Sequence, residues 1–470
     1  MQFRHLVSSR RAVLLAASSL LALGTAHAEE PSGDTMQLPT VLVDGVGEKG
    51  DGPVKGYVAK NSLTGTKTDT PIQKTPQSIA VVTKQQMQDL QAQSVAEALR
   101  YTPGVIAEYR GASNLRDEIG TRGFFYTPRF LDGLYLGGEL SYAKIDPYLL
   151  ERVELISGPA SVLYGQASPG GLLNEVSKKP TDEPLHEVQL TAGTDRYVGL
   201  GIDFSDRVAD SDSLSWRLAA SGLSSDLQED YTKRKSLAVA PSFTWSPDKD
   251  TSLTVMGGYQ NEPNAGFRNF LDAAGTVTPI SGYGYVPRDL FISDPDYEHA
   301  SRRQAWIGYE FEQALTDSVT FRQKARYNRT DWEHRTLVYG SAKTDAKTGH
   351  VIVSRSASGG TDDWNQFVLD NQLQAKFTTG PAEHTLLAGI DYRYGTRDYV
   401  WGYGAAPSID LNDPQYGGAA YSAITLSTTQ SQDLTAKQLG VYLQDQVEIG
   451  RLISVPDCAT TGRARRSSID

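Results

Sequence analysis

The chain is nearly without cysteine: of 470 residues only Cys458 is one, so no disulfide can form within it and stability must come from backbone hydrogen bonds and packing. Long apolar runs are as scarce. Away from the N-terminus nothing approaches the roughly 20 consecutive apolar residues of a membrane-crossing helix, which excludes a helical membrane protein. The seven histidines are scattered without HExxH or paired spacing, so no direct metal site and no resident cofactor is expected. A G-x-x-x-x-G-K-[ST] phosphate loop is missing, and no nucleophile, base and cofactor motif keep company, which argues against an enzyme. A net charge of −11 and a pI near 5.2 argue against nucleic acid as a partner.

What is there begins with an export signal. Arg4, Arg10 and Arg11 form a basic segment, Ala12 to Leu23 an apolar one, and Ala26-His27-Ala28 an A-x-A cleavage site, so residues 1–28 read as a signal peptide and the mature chain starts near Glu29. A transmembrane anchor fits badly, because the apolar run is too short. The length calls for two or more units or one very large all-β unit, and glycine and tyrosine are abundant at 44 and 24.

Residues 29–61 are rich in Gly, Asp, Pro and Lys without hydrophobic periodicity and read as a flexible arm. "LPTVLVDG", Leu38 to Gly45, is an apolar island in it, either an ordinary edge strand or a segment recognised by strand addition. Residues 62–184 read as a compact α/β module. Thr83 to Gln86 and Ser94 to Glu97 have capping-box spacing before two short helices, and Thr102-Pro103-Gly104 stops the second. From 185 to 450 about ten alternating segments follow. In "SVTFRQKARYN", Val319, Phe321, Ala325 and Tyr327 share one face, and Arg322, Lys324, Arg326 and Asn328 the other. Short connections alternate with long ones at 261–301, 332–362 and 395–434, the pattern of a transmembrane barrel with short turns on one side. Residues 451–470 lose the alternation, turn basic and read as an aberrant tail outside the barrel.

These residues carry a resemblance. "TPQSIAVVT" at 75–83, "LRYTPGV" at 99–105, "TRGF" at 121–124, "LDGL" at 131–134 and "DPYLLERVELISGPASVLYGQASPGGLLNEVSKKP" from Asp146 stand in an order and spacing that resemble a TonB-dependent outer-membrane receptor, over nearly all of residues 38–450. The resemblance implies a mainly β fold, with an α/β plug at 62–184 inside a large antiparallel transmembrane barrel of which about half the strands are present at 185–450. It implies import of a ferric siderophore across the outer membrane, driven by the partner TonB, by a monomer set in outer-membrane lipid. Iron would travel as cargo inside the siderophore's oxygens. Leu38, Pro39, Thr40, Val41, Leu42 and Val43 lie where the TonB box lies in the family. "YRGASN", Tyr109 to Asn114, is similar to the plug apex of receptors for hydroxamate siderophores such as ferrichrome and ferrioxamine, so Arg110 inherits a ligand contact. Tyr109, Phe124, Phe125, Tyr126 and Tyr142 are the aromatic candidates beside it, with plug packing as the alternative for each. Arg122 and Arg152 match arginines that pair with barrel glutamates in the family, and Glu151 and Glu154 share their segments as plug–barrel ionic contacts.

The sequence also departs from that pattern. Ferrichrome receptors have an adjacent aromatic pair where Glu139 and Leu140 stand here. Another large, scarce cargo, a catecholate siderophore, haem or cobalamin, is therefore open, and the strand count leaves a truncated, non-transporting form open as well.

Overall fold

A computed structural model describes residues 48–111, 115–137, 141–165 and 167–469. The signal segment and Leu38 to Val43 lie outside the described residues, as do Asn114, Glu139 and Leu140.

The N-terminal module is built on a five-stranded sheet in the order Ser78–Thr83, Leu150–Ser157, Gly171–Ser177, Arg129–Leu131, Leu134–Gly137. One pairing, Arg129–Leu131 with Gly171–Ser177, is parallel and the rest are antiparallel. The tight hairpin at its end turns at Asp132-Gly133, both at positive φ (55° and 81°), which an Asp-Gly pair adopts at little cost. Two short helices, Lys84–Asp89 and Val95–Ala98, begin where their caps place them: Thr83 Oγ1 accepts from Gln86 N at 3.3 Å and Ser94 Oγ from Glu97 N at 3.1 Å. Their apolar sides, Met87, Val95, Ala98 and Leu99, pack against Val82, Val153 and Leu155 of the sheet.

The rest is one 12-stranded antiparallel sheet in sequence order. Ten strands run from Leu185–Ala192 to Ser427–Ile449, each paired with its neighbour, and two C-terminal strands, Leu452–Ser454 and Asp457–Ile469, both pair with Ser427–Ile449. Its polarity is inverted relative to a water-soluble sheet. Val188, Leu190, Leu237, Trp245, Ile307, Phe367, Leu373, Ile390 and Val441 are exposed, whereas Arg217, Arg234, Glu262, Arg302, Gln304, Asp370 and Gln444 are buried against the module. This is the wall of a barrel with an apolar outside and a polar inside, and the module is its plug.

Three expectations are corrected here. The segments 332–362 and 395–434 are not mostly loops: strands Val319–Thr344, Val351–Thr379 and Ala382–Asp410 reach 26 to 29 residues, leaving connections of 345–350 and 411–426. Beyond the roughly 9–11 residues needed to cross a bilayer, such ladders continue outward because their backbone pairs remain satisfied. The tail is not outside the sheet either. Asp457–Ile469 forms a ladder with Gln432–Gln444, since main-chain pairing needs no alternation of side chains, and its described side chains are exposed. Finally, the arm is not featureless to residue 61. Glu48 accepts from Lys60 N at 2.9 Å, Asp51 meets Lys179 at 2.5 Å, and Asn61–Ser62 pairs with Thr70–Pro71.

Candidate functional site

At the end of the plug that faces the long connections, the two-residue strand Val105–Ile106 pairs with Gly120–Thr121, and the turns on either side present the apex. Tyr109 packs on Phe125 with ring centroids 4.6 Å apart and meets Tyr126 edge-on at 5.9 Å. Arg110 Nη2 donates to Tyr126 Oη at 3.1 Å, and its guanidinium lies 5.4 Å from the Tyr109 ring. Burial, then the contact with Tyr126, raises the Tyr109 phenol well above its ordinary pKa, so it stays protonated. The sequence-chosen residues Tyr109, Arg110, Phe125 and Tyr126 thus form one cluster. Phe124 is beside them and exposed.

Tyr142 is not part of that cluster. It is buried and stacks on Trp332 of the wall, centroids 4.5 Å apart and planes at 13°, with the Arg116 guanidinium 4.7 Å from its ring centroid. Between Tyr142, the apex and the wall opens a cavity of about 310 Å³. Arg110, Arg116, Arg268 and Arg397 line it together with Phe270, Tyr399, Trp401 and Tyr403. Buried Glu118 anchors three of these cations, Arg268 at 2.6 Å, Arg116 at 3.3 Å and Arg110 at 3.6 Å. Asp362 holds the fourth, Arg397, through two bonds of 2.7 Å. The Arg397 guanidinium lies 4.5 Å from the Tyr399 ring, which stacks with Trp401. An oxygen-rich ligand with apolar flanks finds donors and flat surfaces here. Among the described residues no cluster of three or more His, Cys, Asp or Glu could hold a metal ion.

Sequence reasoning missed Arg116, Arg268 and Arg397. Arg116 stands two residues from Glu118 and could have been suspected from the charge density of "LRDEIGTR", but Arg268 and Arg397 come from distant segments with no local signal. Tyr399, Trp401 and Tyr403 come to the cavity from the long strand Ala382–Asp410, whereas Tyr283 donates to Leu411 O at 3.2 Å and packs a loop cluster.

The four charged candidates divide. Glu151 meets the wall: Arg217 Nη1 lies 3.1 Å from its carboxylate, and the same guanidinium holds Asp203 at 2.8 and 2.9 Å. Glu154 and Arg152 instead pair with each other at 3.0 Å inside the plug, both fully buried. Glu154 also accepts from Ser62 and Thr64, and Arg152 donates to the carbonyls of Asn61 and Lys49. Arg152 and Glu154 are therefore not plug–barrel contacts, because the returning segment 48–64 reaches them before the wall does. Arg122 makes no ion pair among the described residues. It sits exposed at φ 49° in the turn that follows Gly120–Thr121. Contacts the sequence did not flag fasten the plug elsewhere. Lys67 Nζ reaches Asp370 at 2.8 Å and Tyr442 Oη at 3.2 Å, and Arg326 donates to the carbonyls of Leu131, Leu134 and Tyr135 at 2.6 to 3.1 Å.

Comparison with known proteins supplies a family. The TonB-dependent receptor plug domain matches residues 71–172, and the TonB-dependent receptor-like β-barrel matches residues 241–457. The ferrichrome outer membrane transporter/phage receptor of Escherichia coli K12 is 38% identical over 96% of this chain and 63% of its own length. The ferrioxamine B receptor of Salmonella typhimurium SL1344 is 35% identical over 82% of this chain and 55% of its own. The chain thus spans less than two thirds of the length of these relatives. Among solved structures, the closed form of the ferric-catecholate import receptor Fiu from E. coli K12 superposes with a TM-score of 0.75 at 18% identity, over 88% of this chain and 65% of that one, a likeness of fold.

Proposed function

The chain belongs to the TonB-dependent receptors, and on that premise we propose that it binds a ferric siderophore, hydroxamate type preferred, in the apex cavity and passes it across the outer membrane with work supplied by TonB. The observation that carries this reading is the cavity itself, enclosed by plug apex and barrel wall and lined by arginines and aromatic rings. The iron is sealed in the siderophore's own oxygens, so the protein's task is to recognise the outer surface of the complex. Arg110 and Arg116 supply donors to its oxygens, while Tyr142, Tyr399 and Trp401 supply flat apolar area. Tyr109, Phe125 and Tyr126 hold Arg110 in place and cover the cargo's outer side.

Residues 1–28 would direct export, and the apolar outer face of the sheet would meet outer-membrane lipid, with one chain acting alone. Relatives carrying both domains are outer-membrane transport receptors, which favours that location and a non-enzymatic role. Leu38 to Val43 would be the strand that TonB grips. A segment so placed is joined by a few residues to Glu48 and Asp51, which are bonded into the plug and its junction with the wall. Force on the arm is therefore delivered to the plug.

Arg110→Ala should weaken binding of a ferric hydroxamate, and unchanged affinity removes Arg110 from the site. Deleting Leu38 to Val43 should abolish uptake and leave binding intact; preserved uptake sinks the arm's role. A second reading, catecholate cargo, is favoured by the 26% identity to the catecholate siderophore receptor Fiu of E. coli O6:H1. Binding measured side by side for both chelate classes separates the two.

A further inference from the structure

Among the described residues the apex cavity is lined by charge of one sign: four guanidiniums and His334 line it, and no described carboxylate does. Glu118 and Asp362 stand behind the arginines, their side chains 6% and 0% exposed, so they hold the cations without facing the opening. Among the described residues, the four guanidiniums outnumber the two carboxylates that hold them, Glu118 and Asp362, by two. The excess is not a general property of the barrel interior. At the short-turn end of the plug a second cavity of about 530 Å³ is lined by Asp51, Glu151, Glu310 and Glu312 alongside Lys179, Arg217 and other cations.

The cations at the apex are also pinned. Arg116 lies over Tyr142, Arg268 is 5.5 Å from Phe270, and Arg397 lies over Tyr399, so each guanidinium is set against a ring. A guanidinium already set against a ring suits a carboxylate or a comparable planar anion, and costs little ordering when one arrives.

We infer that the cavity selects its ferric chelates by charge, taking neutral and preferably anionic complexes, so that the preferred cargo carries at least one ionised acid group, and discriminating against cationic ones. The inference rests on the apex cavity being the cargo site. A unit of ligand charge a few ångströms from this excess, in a site partly shielded from water, is worth about a tenfold change in affinity at low salt.

The test uses three linear ferric trihydroxamates on one backbone: a terminal ammonium, its N-acetylated neutral form, and its N-succinylated carboxylate form. Each is titrated into the purified 470-residue chain in detergent, read by quenching of tryptophan fluorescence. Affinity should rise from ammonium to acetyl to carboxylate by about tenfold per step, and the spread should shrink several-fold in about 0.5 M salt. Arg116→Gln leaves Glu118 two other partners and should narrow the carboxylate-to-ammonium ratio several-fold, whereas the loss of its donor is shared by all three chelates. A flat series, or tightest binding of the ammonium form, overturns charge selection while leaving the trihydroxamate function standing. Binding of none of the three overturns that function, and the inference with it.

Discussion

Arg217 is the side chain through which the barrel wall grips the plug's last sheet strand but one. It is 2% exposed, holds Asp203 with two bonds, reaches Glu151 at 3.1 Å and donates to Lys179 O at 2.8 Å. Arg217→Met would remove all four contacts at similar side-chain length. Asp203 would keep Lys178 at 2.8 Å and Lys84 at 3.3 Å, but Glu151, 5% exposed, has no other cation partner among the described residues. The penalty therefore falls on Glu151, and stranding a buried charge costs about 3–5 kcal/mol. Glu151→Gln first removes the charge that would be stranded, and Arg217→Met made on top of it should cost only about 1–2 kcal/mol. The difference, a coupling of about 2–3 kcal/mol, is read from a double-mutant cycle of urea unfolding in detergent micelles, with plug protease sensitivity as a second probe. A coupling below about 0.5 kcal/mol would refute the assignment of this pair as a plug–wall joint.

Three further outcomes are expected. Burial alone would raise the Asp51 carboxyl, yet Lys179 and Lys324 outweigh it and hold it well below the usual carboxylate range. Its stabilising share is therefore full above the unfolded pKa of about 4 and lost as pH falls below it, so Asp51→Asn should flatten the acid side of the unfolding midpoint against pH; an unchanged profile contradicts the Lys179 contact. Gly389 faces Tyr442 across the ladder, and an added Cβ would lie 2.0 Å from the ring. Gly389→Ala should then cost about 1–3 kcal/mol and expose residues 64–70 to protease, because Tyr442 Oη also positions Lys67 and Asp370; wild-type protection would count against that link. Tyr142→Phe keeps the stack on Trp332 and should leave chelate affinity within about twofold, whereas Tyr142→Ala should weaken it about tenfold or more; equal losses would mean the phenol, not the ring, matters.

Much of the architecture was legible because it is written in local periods. Alternation in "SVTFRQKARYN" placed Arg326 inward and Tyr327 outward, and Thr83 and Ser94 capped the helices where their spacing said they would. The apex cluster of Tyr109, Arg110, Phe125 and Tyr126 was legible from two short stretches, 109–110 and 125–126. What could not be read was pairing at a distance. Arg152 and Glu151 are adjacent in sequence, yet one is satisfied by the returning segment 48–64 and the other by the wall, and nothing local distinguishes them. Arg268 and Arg397 are likewise ordinary polar positions until the fold brings both to one cavity. The extent of the long strands was also hidden, since bulges between Tyr339 and Ala342 and between Val353 and Arg355 interrupt the alternation that marks a strand.

The position of the iron atom bears most directly on the proposed site. Crystals of the 470-residue chain grown with a ferric trihydroxamate, with diffraction recorded at the iron absorption edge, should show one anomalous peak in the cavity bounded by Arg110, Tyr142, Arg268, Arg397 and Tyr399. An ordered chelate whose iron lies elsewhere, for instance in the charged cavity lined by Asp51, Lys179 and Glu310, would contradict it.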